Sequence, residues 1–323
     1  MQRRSFFQSA LAGVAAIGQV GMLRGISSGS APVSNGLAPI SASTGTFPYI
    51  NTDPAVRLFY KDWHDAASSS SPNAQTALFL HTWILNSDIW QYQMNHLHGL
   101  GMRTLAYDRR GHGRSSDPGF SYGYDALAKD LATFIEQLEL RDVVLIGHSM
   151  AGGEIVRYLS TYGDARVSRI VLVAPSLPFA LKTDDNLTGA PRTALLAVKE
   201  AITHDLPQYA RSVASKFFGP NVTGNTVDWA VRMCDLSSLP ALVGTHIAVT
   251  ETDFRAELAL IRKPTLIIHG DSDELAPLAI TSERVRQMIS GSRLKVYKDG
   301  PHGLMISHMD QLNRDLQTFI SES

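Results

Sequence analysis

Val143-Val144-Leu145-Ile146-Gly147-His148-Ser149-Met150-Ala151-Gly152-Gly153 opens with four apolar residues and passes at once to a serine among small residues. An apolar run of this length, rich in β-branched side chains, reads as a buried strand. Ala151, Ile155, Tyr158, Leu159 and Tyr162 then recur at helical spacing, so a helix begins just past the serine. A serine at a strand-to-helix junction is forced into a tight turn. The turn exposes its hydroxyl, aims the helix N-terminus at it and requires small neighbours, which Gly147 and Ala151 supply.

The same alternation extends in both directions. Upstream, Val56-Arg57-Leu58-Phe59-Tyr60, Ala77-Leu78-Phe79-Leu80 and Thr104-Leu105-Ala106-Tyr107 read as strands. Ser87 is expected to cap a helix carrying Trp90, Met94 and Leu97. Leu127, Leu131, Phe134, Ile135 and Leu138 share one helical face before the central strand. Downstream come strands at Ile170 to Val173, Thr265 to Ile268 and Leu294 to Tyr297, and a last helix with Leu312, Leu316, Phe319 and Ile320. This pattern predicts an α/β fold with a doubly wound, mostly parallel sheet. From Pro175 to about Arg262 the alternation stops and helical spacing takes over (Leu206, Tyr209, Val213, Phe217), broken by Pro191, Pro207, Pro220 and Pro240. Such an insertion is expected to form a helical cap over the carboxyl edge of the sheet, where ligands of open α/β sheets bind.

A serine hydroxyl needs a base, and the base needs an acid that sets its tautomer. Of 11 histidines, His302 in Gly300-Pro301-His302-Gly303 follows the last strand and precedes the last helix, where the base is expected. His64 and His308 are expected to be exposed, and His148 to be a neighbour of the turn. The strand ending at Ile268 leads into His269-Gly270-Asp271-Ser272-Asp273-Glu274, where three carboxylates compete. Asp273, three residues past the glycine, is favoured as the acid, with Asp271 ordering the turn. An oxyanion needs two backbone N–H groups. Met150, following the serine, is expected to supply one, and Trp83, in the loop after Leu80, the other, with its indole either lining an acyl pocket or lying in the core.

Composition removes several function classes. The 323 residues are 44% hydrophobic and 18% charged, typical of a globular chain with a sizeable core. Twenty-nine basic against 30 acidic residues give a net charge of −1, which predicts no nucleic-acid partner and no hold on an anionic membrane. Cys234, the single cysteine, excludes an intramolecular disulfide and reads as a small hydrophobe in the cap. No apolar run is long enough to predict a membrane anchor. GxGxxG and GxxxxGK[ST] are both missing, so dinucleotide and ATP binding have no support. Residues 1–30, with Arg3 and Arg4 before Ser5-Phe6-Phe7 and a mildly apolar run from Ala10 to Val20, have the layout of a signal peptide and resemble the twin-arginine type. They predict a periplasmic or secreted location. Residues 31–46 read as a flexible linker, and residues 47–323 as the catalytic domain.

Together these residues resemble the α/β-hydrolase superfamily, and within it the cofactor-free haloperoxidase and arylesterase branch. The likeness runs from about Phe47 to Ile320. Besides the serine turn it includes Leu58-Phe59-Tyr60-Lys61-Asp62-Trp63, Tyr107-Asp108-Arg109-Arg110-Gly111-His112-Gly113-Arg114-Ser115, Leu181-Lys182-Thr183-Asp184-Asp185-Asn186 and Gly300 to Leu304. The resemblance implies a triad of Ser149, Asp273 and His302, oxyanion donors Trp83 and Met150, and no cofactor, metal or haem. Two positions depart from the family pattern, Thr82 and Ala151, where glycine is usual. A β-branched Thr82 disfavours the backbone angles glycine permits, so a reshaped loop, or a threonine hydroxyl that touches substrate, is expected. The expected activity is serine hydrolysis of small to medium apolar esters or lactones. Two alternatives are perhydrolysis with haloperoxidase activity by the same residues, and a ligand-binding protein on a hydrolase scaffold.

Overall fold

The computed structural model describes residues 48–64 and 75–322. The expected export signal, residues 1–30, and linker, 31–46, lie outside the described residues. Among the described residues, eight strands form one sheet: β1 (Tyr49–Asp53), β2 (Val56–Trp63), β3 (Thr76–Leu80), β4 (Arg103–Tyr107), β5 (Val143–His148), β6 (Val167–Val173), β7 (Thr265–Gly270) and β8 (Arg293–Tyr297). Their order is β1-β2-β4-β3-β5-β6-β7-β8, with the β1-β2 and β2-β4 pairs antiparallel and the other five pairs parallel. The helices are α1 (Gln91–His98), α2 (Tyr124–Gln137), α3 (Ala151–Tyr162), α4 (Arg192–His204), α5 (Leu206–Phe218), α6 (Gly224–Cys234), α7 (Leu239–Glu251), α8 (Arg255–Leu258), α9 (Ser282–Met288), α10 (Leu304–Ser307) and α11 (Met309–Ser321).

Successive strand residues feed two separate cores. Leu78, Leu80, Leu145, Leu172 and Ile267 pack on the side of α2 and α3, whereas Ala77, Phe79, Ile146, Val173 and Ile268 pack on the side of α1 and α11. Because helices cover both faces, β3, β5 and β7 are buried at every position, which is why they read as continuous apolar runs. The chain moves from β3 to β4 in one direction and from β4 past β3 to β5 in the other. The carboxyl ends of β3 and β5 therefore sit side by side, Leu80 opposite Gly147. This is the switch point at which open α/β sheets hold ligands, and it brings the Trp83 loop beside Ser149.

Several local expectations are corrected. β1 is too short and polar to show a pattern, with Ile50 its one buried apolar residue. β2 runs three residues beyond Tyr60, because Lys61 and Asp62 find partners in Asp88 and Arg103, the latter at 2.7 Å. Asn86 rather than Ser87 caps the turn before α1, its side chain accepting from the Asp88 N–H at 2.9 Å. In the insertion the prolines mark helix starts more than breaks: Pro191 precedes α4, and Pro207 and Pro240 occupy the first turns of α5 and α7. At those positions a missing N–H costs nothing. Cys234 is buried in α6.

A buried polar network ties these pieces together beneath the serine turn. Arg109, after β4, donates to Glu154 of α3 at 2.7 Å and to the His81 carbonyl at 2.7 Å. Tyr107 also donates to Glu154. The Arg109 backbone N–H donates to His81 Nε2 at 2.9 Å, so the His81 proton sits on Nδ1 and reaches the Thr82 carbonyl at 2.7 Å. Burial, reinforced by the Arg109 charge, pushes His81 well below the usual histidine range and His112 down to about 4. His148 is likewise held well below that range by burial and then by His302.

These histidines set an expected acid sensitivity. Each stays neutral when folded but takes up a proton when unfolded below about pH 6.5, so stability is complete above that pH and is lost as pH falls. With its folded value at about 4, His112 alone removes about 3 kcal/mol between pH 6.5 and pH 4. Glu154, raised by burial, acts with the opposite sign and opposes part of this loss. Urea denaturation across this window should show a steadily falling midpoint. A flat midpoint would mean that these rings are charged in the native state.

Candidate active site

Ser149 lies between β5 and α3 with φ 58°, a left-handed conformation that a side chain rarely adopts. The turn is held by its N–H donating to the Val173 carbonyl at 2.9 Å. Gly147 is required by proximity, since a Cβ there would come within 2.7 Å of the Ile155 side chain and 3.2 Å of the Ala151 Cβ. The methyl of Ala151 thus uses space left by a glycine on the preceding turn, which explains how this chain accommodates it.

The loops after β7 and β8 meet at the serine. A Cβ on Gly270 would lie 1.9 Å from the Gly300 carbonyl oxygen, so the two backbones approach in a way only glycine allows. Ser272 N–H donates to that carbonyl at 3.0 Å, and Asp271 accepts the Asp299 N–H at 2.7 Å, the turn-ordering role expected of Asp271. The clamp sets Asp273 Oδ2 2.6 Å from His302 Nδ1 and His302 Nε2 2.9 Å from Ser149 Oγ. Asp273 Oδ1 accepts from the Leu275 and Ala276 N–H groups at 2.9 and 2.8 Å. His269 Nε2 stands 3.1 Å from Oδ2. Burial alone would raise the Asp273 carboxyl, but the His302 charge and the hydrogen bonds from His269, His302 and Ala276 outweigh it, holding the group well below the usual carboxylate range. His148 lies directly beneath, donating from Nε2 to the His302 carbonyl at 2.9 Å.

The Met150 and Trp83 backbone N–H groups donate to no protein group among the described residues. Trp83 forms part of the cavity wall: its indole N–H donates to the Leu242 carbonyl at 3.1 Å and its ring stacks on His246 with centroids 5.1 Å apart. Thr82 also lines the cavity, but the left-handed turn of this loop falls on Ile84 (φ 59°) rather than on Thr82. Thr82 is therefore spared the left-handed angles, which another β-branched residue, Ile84, adopts instead. The cavity has a volume of about 500 Å³, with Ser149 and His302 at its base and α4, α5 and α7 forming much of its wall. That size suits a small to medium ligand. Among the described residues, no group of three or more His, Cys, Asp or Glu side chains is placed to hold a metal ion.

Four neighbouring residues were given no role in the sequence reading. Ser176, after β6, brings its hydroxyl 3.0 Å from Ser149 Oγ. His269 supports Asp273 from within β7, and Arg109 with Glu154 anchors the base of the site. A charged residue inside an apolar helical face, as Glu154 is, was the available signal for a buried pair. Of the other histidines, His64 is exposed, whereas His308 is half-buried and bonded to the Lys298 carbonyl at 3.1 Å.

Comparison with known proteins agrees with this architecture. The profile described as the alpha/beta hydrolase fold matches residues 77–308. A non-heme haloperoxidase of Rhodococcus erythropolis is 36% identical over 84% of this chain and 99% of its own length. A bifunctional esterase/perhydrolase of Acinetobacter calcoaceticus is 32% identical over 84% of this chain and 99% of its own. The crystal structure of a bromoperoxidase from Bacillus anthracis superposes with a TM-score of 0.80 at 31% identity, covering 85% of this chain and 99% of that one. The chain belongs to the α/β-hydrolase family, in its non-haem haloperoxidase and esterase branch.

Proposed function

We propose that this chain is a serine hydrolase of carboxylic esters or lactones that works through an acyl-enzyme on Ser149. The observation that carries the reading is the continuous chain from Ser149 Oγ through His302 to Asp273, at 2.9 and 2.6 Å. His302 Nε2 takes the hydroxyl proton as Ser149 attacks the carbonyl carbon. Asp273, ionised, accepts from Nδ1–H and stabilises the imidazolium. The oxyanion is received by the Met150 and Trp83 N–H groups, which donate to no protein group among the described residues. His302 returns its proton to the leaving alcohol, then activates water to release the acid. The test is hydrolysis of a chain-length series of p-nitrophenyl esters, with turnover of the shorter acyl chains expected. No turnover of any ester or lactone would shift the reading to a binding protein.

A second reading, perhydrolysis, is favoured by the haloperoxidase and perhydrolase names of the relatives. Hydrogen peroxide in place of water attacks the acyl-enzyme to give a peracid and free Ser149. The peracid, with bromide and a proton, then yields the carboxylic acid and hypobromous acid. Bromination of a dye in the presence of peroxide, bromide and a short carboxylic acid separates this route from simple hydrolysis. For location, Arg3-Arg4 and the apolar run after them support twin-arginine export. Replacing both arginines by lysine should retain the protein in the cytoplasm, and unchanged export would exclude that route.

A further inference from the structure

The cavity that holds Ser149 is walled largely by apolar side chains, and two charged residues join them, Glu274 and Arg284. Glu274 is paired with Lys216 at 3.3 Å. Arg284 has no acidic partner among the described residues. Its Nη1 donates to Asn186 Oδ1 at 2.9 Å and to Thr188 Oγ1 at 3.0 Å, while Nε and Nη2 make no bond to any described residue.

The two acceptors are neutral, and one is built for the purpose. Asn186 is buried, and its amide nitrogen donates to the Phe179 and Leu181 carbonyls at 3.1 and 2.7 Å, which obliges its oxygen to face Arg284. The adjoining acid, Asp185, is engaged elsewhere, by Arg255 at 2.8 Å. The loop thus presents an amide where a carboxylate would have cancelled the charge. Arg284 is also carried by the segment that leaves Asp273: Pro277, Ile280, Thr281 and Arg284 all line the cavity at spacings of three and four residues. A guanidinium held by one nitrogen, with the rest of its fork unused, matches a carboxylate in two-pronged fashion.

Building on the hydrolase reading above, we propose that Arg284 is an anion-recognition group, and that the preferred ester or lactone carries a carboxylate at the end of an apolar chain remote from the scissile bond. The apolar wall takes the chain and Arg284 takes its terminus.

The experiment compares p-nitrophenyl monoesters of dicarboxylic acids, from succinate to suberate, with neutral alkanoates of the same length. In the unmodified protein the ratio of kcat/KM, anionic over neutral, should peak at one chain length. Arg284→Gln should lower that peak ratio by about tenfold to a hundredfold, chiefly through KM, the range expected for a charge-assisted pair. Thr188→Asp changes an exposed loop position, keeps the guanidinium and sets a carboxylate beside it, so it should lower the ratio as well. An unchanged ratio in both variants, with thermal unfolding showing them folded, overturns the proposal. A readout without turnover separates it from the hydrolase reading: calorimetric titration of the monomethyl ester of the best diacid into Ser149→Ala, with and without Arg284→Gln. Binding that weakens tenfold or more with Arg284→Gln sustains the anion site even if no ester is cleaved. Equal binding, or none in either, overturns it even if esters are cleaved well.

Discussion

Ser149→Ala is expected to lower kcat/KM for a p-nitrophenyl ester by between about 10⁴- and 10⁶-fold, the span found when a serine nucleophile is removed from a triad. In the proposed mechanism Ser149 Oγ forms the covalent bond to the acyl group, and no neighbouring hydroxyl is placed to replace it. Ser176 Oγ lies 3.0 Å from Ser149 Oγ, but it is Ser149 that His302 Nε2 reaches, at 2.9 Å. The alanine variant keeps the Met150 and Trp83 N–H groups, so the residual rate should remain above that of buffer. Removing a hydroxyl from a residue at φ 58° leaves the backbone strain in place, so thermal unfolding should move by only a few degrees. Rates measured beside the unmodified protein, after the same purification, decide the matter. A loss below tenfold would exclude Ser149 as the nucleophile.

The second large effect is expected from Asp273→Asn, a loss of about 10⁴-fold in kcat at neutral pH. The hydrogen bonds around the carboxyl dictate which way the new amide must point. Oδ1 receives two backbone N–H groups, from Leu275 and Ala276, at 2.9 and 2.8 Å, and only an oxygen can stay there. The amide NH₂ must then occupy the Oδ2 position, 2.6 Å from His302 Nδ1. The opposite orientation would set the NH₂ against two donors, whereas this one opposes a single donor, His269 Nε2 at 3.1 Å. Facing an N–H, His302 Nδ1 must accept, which moves its proton to Nε2 and leaves no lone pair for the Ser149 hydroxyl. The variant should therefore bind esters with nearly unchanged KM and fail in the chemical step. A kcat within tenfold of the unmodified protein would show that Asp273 does not set the tautomer.

How far the site could be read from residues alone depended on how local its determinants are. Ser149 and His302 were legible because each is marked by its own strand end, Val143 to His148 and Arg293–Tyr297. Asp273 was harder, with Asp271 and Glu274 within two residues of it. What separates the three is spatial: Asp271 bonds to Asp299, Glu274 reaches outward to Lys216, and Asp273 faces His302. Ser176 and the Arg284 and Asn186 pair carry no local mark. Arg284 and Asn186 are 98 positions apart, and no periodicity connects them. The Thr82 departure also read differently in three dimensions, since the strain it implied falls on Ile84.

Sequence by itself determined the class of this protein. Short apolar strands buried on both faces and helices with one apolar stripe leave a parallel, doubly wound sheet as the arrangement that hides them all. A serine at one strand end and a histidine after the last then fall on the same edge. Tertiary structure decided what surrounds them: the cavity of about 500 Å³, the partners of each carboxylate and the cation in its wall, Arg284, that has no acid partner among the described residues. The reason is physical. Backbone class follows from patterns a few residues long, which propensity and burial enforce locally, whereas charge pairing and cavity shape depend on side-chain directions brought together from distant segments by packing.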